Sequence, residues 1–291
     1  MHTAHSQPLT LMVAFAHPDD ETFGIGGTMA RYGADPGVRV VLVCATRGEA
    51  GEISNPTLAT PERLGEVREA ELRCACRALG VDALHFLGYR DSGMAGTPQN
   101  LDPRALAMAD PYEAVGRLVC HIRRERPHVV VTHDETGGYG HPDHIAVHYH
   151  AKAAFAAAAD PAQYPEQIEA GLQAFQVPQL FFTAIPHRFF RALIDRLEAL
   201  GREVPERLLQ RREGPFGLPD DACTTDIDVR DFWTTKQEAT HCHASQLNPD
   251  SVLALLPPEE MRELLTCECF QLAESIVGGE DGSHDLFTGL R

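Results

Sequence analysis

The chain has 291 residues, 43% of them hydrophobic and 23% charged, which is enough to bury a sizeable core in one large domain or two modest ones. Its 25 lysines and arginines stand against 42 aspartates and glutamates, and a net charge of −17 repels phosphate backbones and anionic lipid. This excludes nucleic-acid binding and membrane insertion as first readings, and no apolar run reaches the ~18 residues of a membrane span. With no signal peptide visible, a cytoplasmic location is expected.

Residues 9–16 (LTLMVAFA) are almost continuously apolar, as in a strand buried on both faces. After a Gly-rich turn, residues 28–32 read as helix and 38–44 (VRVVLVC) as a second buried strand. Residues 61–79 set Leu and Ala at helical spacing among Glu and Arg, 83–87 are strand-like, 114–124 helical, and 128–132 (HVVVT) another buried strand. Repeated strand, helix, strand units predict an α/β fold with a Rossmann-like, doubly wound, mostly parallel sheet.

Beyond Asp160, Gln-, Pro- and Glu-containing connections lead to a strand at 179–184 and a helix at 188–200. Residues 201–222 are charged and broken by Pro and Gly, so they read as a surface excursion or mobile loop, and whether they form a lid stays open. Residues 224–229 alternate like an edge strand, 232–243 look helical, and 258–275 look like a last helix. The C-terminal part is too interrupted for an independent domain. Residues 1–291 are therefore taken as a single α/β domain in which 160–291 form a cap over the site.

Eight cysteines without a CxxC pair predict no disulfide framework at this size. Of the two CxC pairs, Cys74 and Cys76 lie in a helical stretch where i and i+2 face apart, and no structural Cys-ligated zinc site is expected.

The first strand ends in Ala16-His17-Pro18-Asp19-Asp20-Glu21, followed by Gly24, Gly26 and Gly27. In open α/β sheets ligands bind beyond the carboxyl ends of the strands, where this cluster lies. His17 and Asp20, three apart, would project from one side of a helical turn and grip one metal ion, while Asp19 points elsewhere and stays free as a general base. A second cluster follows the HVVVT strand: His133, Asp134, Glu135, then Tyr139, Gly140, His141, Pro142, Asp143 and His144. A single His-Pro-Asp is commonly a turn with a capping carboxylate, but two at two strand ends point to a metal or catalytic site. The GxGG at 24–27 lacks a glycine directly after the strand, so it fits close backbone approach better than a dinucleotide loop. His121, His128, His148 and His150 read as core or helix-surface residues.

AHPDDE after one strand and GYGHPDH after a later one resemble the metal-dependent N-acetylglucosaminyl-phosphatidylinositol de-N-acetylase (PIG-L-like) family. TRGEAGE at 46–52, VREAEL at 67–72, GYRDSGMAGTPQN at 88–100 and HASQ at 243–246 extend the match, in particular to the subgroup of the mycothiol-pathway deacetylase and the mycothiol S-conjugate amidase. The resemblance implies His17, Asp20 and His144 as metal ligands, Zn2+ as the cofactor with Fe2+ as the alternative, and Asp19 as the general base. It further implies that His141 faces the oxyanion or protonates the leaving amine with Asp143 as its partner, that Tyr139 assists at the oxyanion or gates the site, and that Arg68 and Asp91 hold substrate.

The implied activity is hydrolysis of the N-acetyl group of a small-molecule N-acetylglucosamine conjugate to acetate and a free amine. An amidase acting on a bulkier thiol-conjugate amide is the nearest rival, and a non-catalytic metal or sugar-binding module the rival of another class. Activity would need Asp19 ionised and His141 protonated, giving a bell-shaped pH profile. The aglycone and a homo-oligomeric state stay open.

Overall fold

A computed structural model of the protein describes residues 8–211, 217–248, 251–278 and 282–291. The chain runs β1 (Leu9–Phe15), α1 (Asp20–Gly33), β2 (Val38–Cys44), α2 (Leu64–Leu79), β3 (Ala83–Phe86), α3 (Pro111–Glu125) and β4 (Val129–Thr132). It continues through the single turn α4 (Gly137–Gly140), α5 (Pro142–Ala157), α6 (Pro165–Glu169), β5 (Gln179–Ala184), α7 (His187–Ala199) and α8 (Glu206–Leu209). The last elements are β6 (Thr225–Asp228), α9 (Trp233–Cys242), α10 (Pro258–Leu265) and β7 (Cys267–Ser275).

Seven strands form one sheet in the order β3-β2-β1-β4-β5-β7-β6. The five strands from β3 to β5 are parallel, and β7 lies antiparallel between β5 and β6. The expected doubly wound, mostly parallel sheet is thus present. Its β1 shows why the apolar runs had to be continuous. Leu11, Val13 and Phe15 pack on one face with α1, α2 and α9, while Met12, Ala14 and Ala16 pack on the other with α3 and α5. A third cluster joins α7 to α8 and α10 through Phe190, Ile194, Leu197, Leu208 and Leu264. The chain leaves β1 for one face and β4 for the other, so a crevice opens at the carboxyl ends of these neighbours.

Three expectations are corrected. Residues 258–275 are a helix and then a strand: after Leu265 the chain enters the sheet as β7, hydrogen-bonded on both sides, and pairing overrides the helical look of its Leu, Ala and Glu. Helix α1 begins at Asp20 rather than at residue 28, because Gly26 and Gly27 are packing positions: a Cβ on Gly27 would stand 2.5 Å from the Val229 side chain. A kink at Ile25 (φ −138°) accompanies this approach, and Glu268 of β7 accepts the N–H groups of Gly27 (2.9 Å) and Thr28 (2.7 Å). Finally, Cys74 of α2 is disulfide-bonded to Cys242 of α9, 168 residues away, because packing of α2 on α9 supplies a partner that no local spacing announces.

Residues 212–216 of the expected loop lie outside the described residues. On either side of them stand α8 and a 3-10 turn at Asp220–Ala222. Among the described residues, no helix is long and apolar enough to cross a membrane.

Candidate active site

The crevice receives the loop after β1 and the segment 133–144 after β4. Pro18 and Asp19 turn the chain sharply: Asp19 has φ 112° and ψ −27°, a left-handed conformation costly for a residue with a Cβ. Its N–H donates to Glu21 Oε2 (2.9 Å) and its carbonyl accepts from Thr22 and Phe23, which hold it there. The turn separates the two aspartates. Asp20 Oδ2 accepts the His17 N–H (2.8 Å), while Asp19 Oδ2 pairs with Arg68 at 3.1 Å.

Three donor atoms converge. His17 Nδ1 lies 3.1 Å from His144 Nε2 and 3.7 Å from Asp20 Oδ2, and His144 Nε2 lies 3.2 Å from Asp20 Oδ1. Tetrahedral coordination with bonds of about 2.1 Å has edges near 3.4 Å, so these spacings suit one ion. The outer nitrogens fix the tautomers of the neutral rings. His144 Nδ1 donates to the Gly137 carbonyl (3.1 Å), and His17 Nε2 to Asp143 Oδ2 (3.1 Å), so two imidazole lone pairs face each other beside a carboxylate. Two lone pairs aimed at one point suit a shared proton or a metal ion between them. This His/Asp/His set can hold a metal ion.

The surroundings fix these orientations. Asp143, fully buried, accepts from Ser92 N (2.9 Å) and from Ser92 Oγ, so a serine that sequence reasoning missed anchors the carboxylate behind His17. The expected pairing of Asp143 with His141 is corrected. The Asp143 carboxylate serves His17, whereas His141 Nδ1 accepts the backbone N–H of Asp143 (3.1 Å). Burial, aided by the charges of His17 and His144, pushes His141 down to about 4. Burial raises Asp19 to about 6 against the opposing charge of Arg68. His133 stacks on His144 with centroids 4.1 Å apart, and its Nε2 accepts the Ala16 N–H (3.3 Å).

Tyr139 stands half-exposed at the rim, its ring edge-on to those of His144 and His141. Arg68 is 3% exposed, and its guanidinium serves Asp19, the Gly48 carbonyl (2.9 Å) and the Pro18 carbonyl (2.5 Å). Asp91 accepts from Ala50 N (3.1 Å) and Gly93 N (2.8 Å) and lies 3.5 Å from His17 Nε2. All the residues expected at the site are thus brought together, although Arg68 and Asp91 are bound mainly to the protein. A cavity of about 510 Å³ rises from His17 and Asp19, with Glu52, Ser54, Gln246 and Asn248 in its polar walls. Gln246 belongs to the HASQ match. Glu52 closes the TRGEAGE match, whereas Ser54 had no signal beyond its place in a loop.

Behind the cavity, His243 Nε2 bonds Glu21 Oε1 at 2.7 Å with both side chains fully buried. Burial depresses the imidazolium, but the charge and hydrogen bond of Glu21 outweigh it, and the His243 pKa is raised. A raised folded-state value gives stability that is full below the unfolded value of about 6.5 and lost as pH climbs through the folded value. The stability gap between wild type and His243→Gln, followed by urea unfolding, is expected to narrow from about pH 6.5 upward. A gap unchanged with pH would show the pair to be uncharged.

Fold and site together define a class: an α/β fold with a His/Asp/His set that can hold a metal ion at the carboxyl edge of a parallel sheet, as in metal-dependent hydrolases. The family model described as PIG-L, GlcNAc-PI de-N-acetylase, matches residues 12–155. Across nearly its whole length the chain is 43% identical to the 1D-myo-inositol 2-acetamido-2-deoxy-alpha-D-glucopyranoside deacetylase of Geodermatophilus obscurus, covering 96% of this chain and 97% of that one. It is 40% identical to the corresponding deacetylase 1 of Frankia casuarinae, covering 96% and 94%. The chain belongs to the PIG-L family and is a hydrolase acting on an amide bond. In fold it resembles the N,N'-diacetylchitobiose deacetylase of Pyrococcus horikoshii, with a TM-score of 0.64 and 21% identity over 90% of this chain and 83% of that one.

Proposed function

We propose that the protein removes the acetyl group from N-acetylglucosamine linked to inositol, releasing acetate and the free amine. The observation that carries this reading is the convergence of His17 Nδ1, His144 Nε2 and the Asp20 carboxylate on one point, with the Asp19 carboxylate left over beside it. The relatives' names supply the substrate, and the cavity suits it: about 510 Å³ with carboxylate, amide and hydroxyl walls fits a polyol better than an apolar aglycone. The same polar walls disfavour the bulkier thiol-conjugate amide.

His17, Asp20 and His144 would hold a divalent ion, zinc by the N/O donor set, with ferrous iron the alternative. When bound, the ion supplies Lewis acidity that polarises the amide carbonyl and acidifies the attacking water. Asp19, anchored by Arg68, takes the proton of that water, and its raised pKa makes it the stronger base and then an acid able to return the proton to the leaving amine. His141 offers Nε2–H to the oxygen where negative charge develops, as a neutral donor held by the Asp143 N–H. Asp143 keeps the His17 lone pair aimed inward. Tyr139 closes the rim, Asp91 and Arg68 border the sugar, and residues 160–291 complete the wall through Gln246 and Asn248. This reading places a single-domain enzyme in the cytoplasm beside its small-molecule substrate.

The test is incubation of zinc-loaded protein with N-acetylglucosaminyl-inositol, N-acetylglucosamine and a bulky N-acyl thiol conjugate, with released amine measured. The inositol conjugate is expected to give a kcat/KM at least tenfold above the others. Preference for the thiol conjugate would establish the amidase reading, and no turnover of any substrate by metal-loaded protein would leave a binding module.

A further inference from the structure

Outside the catalytic crevice, the outer edge of the sheet carries a second group of metal-ligand side chains. Strands β6 and β7 pair with Asp226 opposite Cys269 and Asp228 opposite Cys267. Strand alternation puts these four on one face, while Ile227, Glu268 and Phe270 point to the other, two of them into the main core. One donor atom each from Asp226, Cys267 and Cys269 lies within 4.8 Å of the others. The Cys269 thiol also lies near enough to those of Cys267 and Cys223, the latter just before β6, to shift their titration and its own. Three sulfurs and a carboxylate therefore gather where two antiparallel strands meet. None of these cysteines is in the disulfide.

We propose that Cys223, Asp226, Cys267 and Cys269 form a second, structural site for a thiophilic divalent cation, with zinc as the natural occupant. The soft ligand set is that of closed tetrahedral zinc sites, and the CxC spacing on a strand points both sulfurs to one side. Sulfur edges in such a site are about 3.8 Å, close to the spacing within 4.8 Å of the donors of Asp226, Cys267 and Cys269.

Charge supports the same reading. Three thiolates and a carboxylate around a divalent ion leave a net charge of about −2. The Arg188 guanidinium meets that excess: its Nη2 donates to Asp226 Oδ1 at 2.6 Å and to Cys269 Sγ at 3.0 Å. An arginine behind the donors orients and neutralises them as outer partners of metal sites do. Access is open as well. Cys267 is exposed, and a cavity of about 370 Å³ bordered by α7 and α10 reaches Cys267 and Cys269. The ion would tie β6, at the edge of the sheet, to β7, with Arg188 of α7 behind both.

Cobalt titration of the full-length enzyme, its free thiols kept reduced, tests this. Thiolate ligands give cobalt an intense near-ultraviolet charge-transfer absorption that a His/Asp/His centre cannot produce. Wild type is expected to bind two ions per chain, one of them with that absorption. The double variant Cys267→Ser/Cys269→Ser is expected to bind one without it, to deacetylate within about twofold of wild type, and to melt about 5 °C lower. Should that variant fail to fold, the wild-type spectrum decides, with Asp226→Asn shifting the band. One ion per chain and no charge-transfer absorption in wild type would overturn the proposal, whether the thiols stay titratable or peptide mapping finds Cys223 joined to Cys269.

Discussion

Replacing Asp19 by alanine is expected to leave the catalytic ion in place and to slow amide hydrolysis by a factor of about 10²–10⁴. The backbone makes the distinction from its neighbour. Held at φ 112°, Asp19 turns its carboxylate to Arg68, while Asp20 turns its own to the two imidazole lone pairs. An alanine at position 19 removes the proton acceptor and none of the three donors. Elemental analysis should find wild-type metal content, and kcat should fall with little change in KM. Metal loss equal to that of Asp20→Ala would mean that the two aspartates have exchanged roles.

The largest expected loss of stability is at Glu268. Its carboxylate is 5% exposed and joins the Lys236 ammonium, 4% exposed, at 2.7 Å, besides taking the two N–H groups that the kink in α1 releases. Glu268→Ala strands a buried cation and two backbone donors, which costs about 3–5 kcal/mol. Urea unfolding should show it as a large fall in midpoint. The double change Glu268→Leu/Lys236→Met removes both charges together and is expected to recover much of that loss. A loss below about 1 kcal/mol in Glu268→Ala would show that water reaches the pair.

How far the sequence could be read follows from the range of the interactions involved. The apolar runs of β1, β2 and β4 are visible because a strand covered on both faces must be apolar throughout, and the His-Pro-Asp pairs are visible because ligands come from short segments at strand ends. Strand β7 was hidden because its glutamate answers to Gly27, Thr28 and Lys236, more than 30 residues away at the nearest. The Cys74 to Cys242 bond and the hold of Ser92 on Asp143 were hidden for the same reason. Proximity in sequence suggested Asp143 for His141, yet the two share only a backbone contact, since a proline between them starts α5 and sends the carboxylate toward His17.

The bond between α2 and α9 also governs how the substrate cavity can change shape. Along α2, Arg68, Glu71 and Cys74 follow one another at intervals of three, one turn apart. Arg68 borders the cavity, Glu71 accepts from both Ser245 N (2.8 Å) and Ser245 Oγ (2.7 Å), and Cys74 is covalently tied to the end of α9 just before His243. One jaw of the cavity is therefore a clamped plate, riveted across 168 residues of chain, with Gln246 mounted on it. Glu52 and Ser54 are joined to the same plate, through Gln246 Nε2 donating to the Glu52 carbonyl (3.0 Å) and Ser54 N donating to the Ser245 carbonyl (2.9 Å), so room for a different aglycone has to come from the bend at Met94 and the Tyr139 rim.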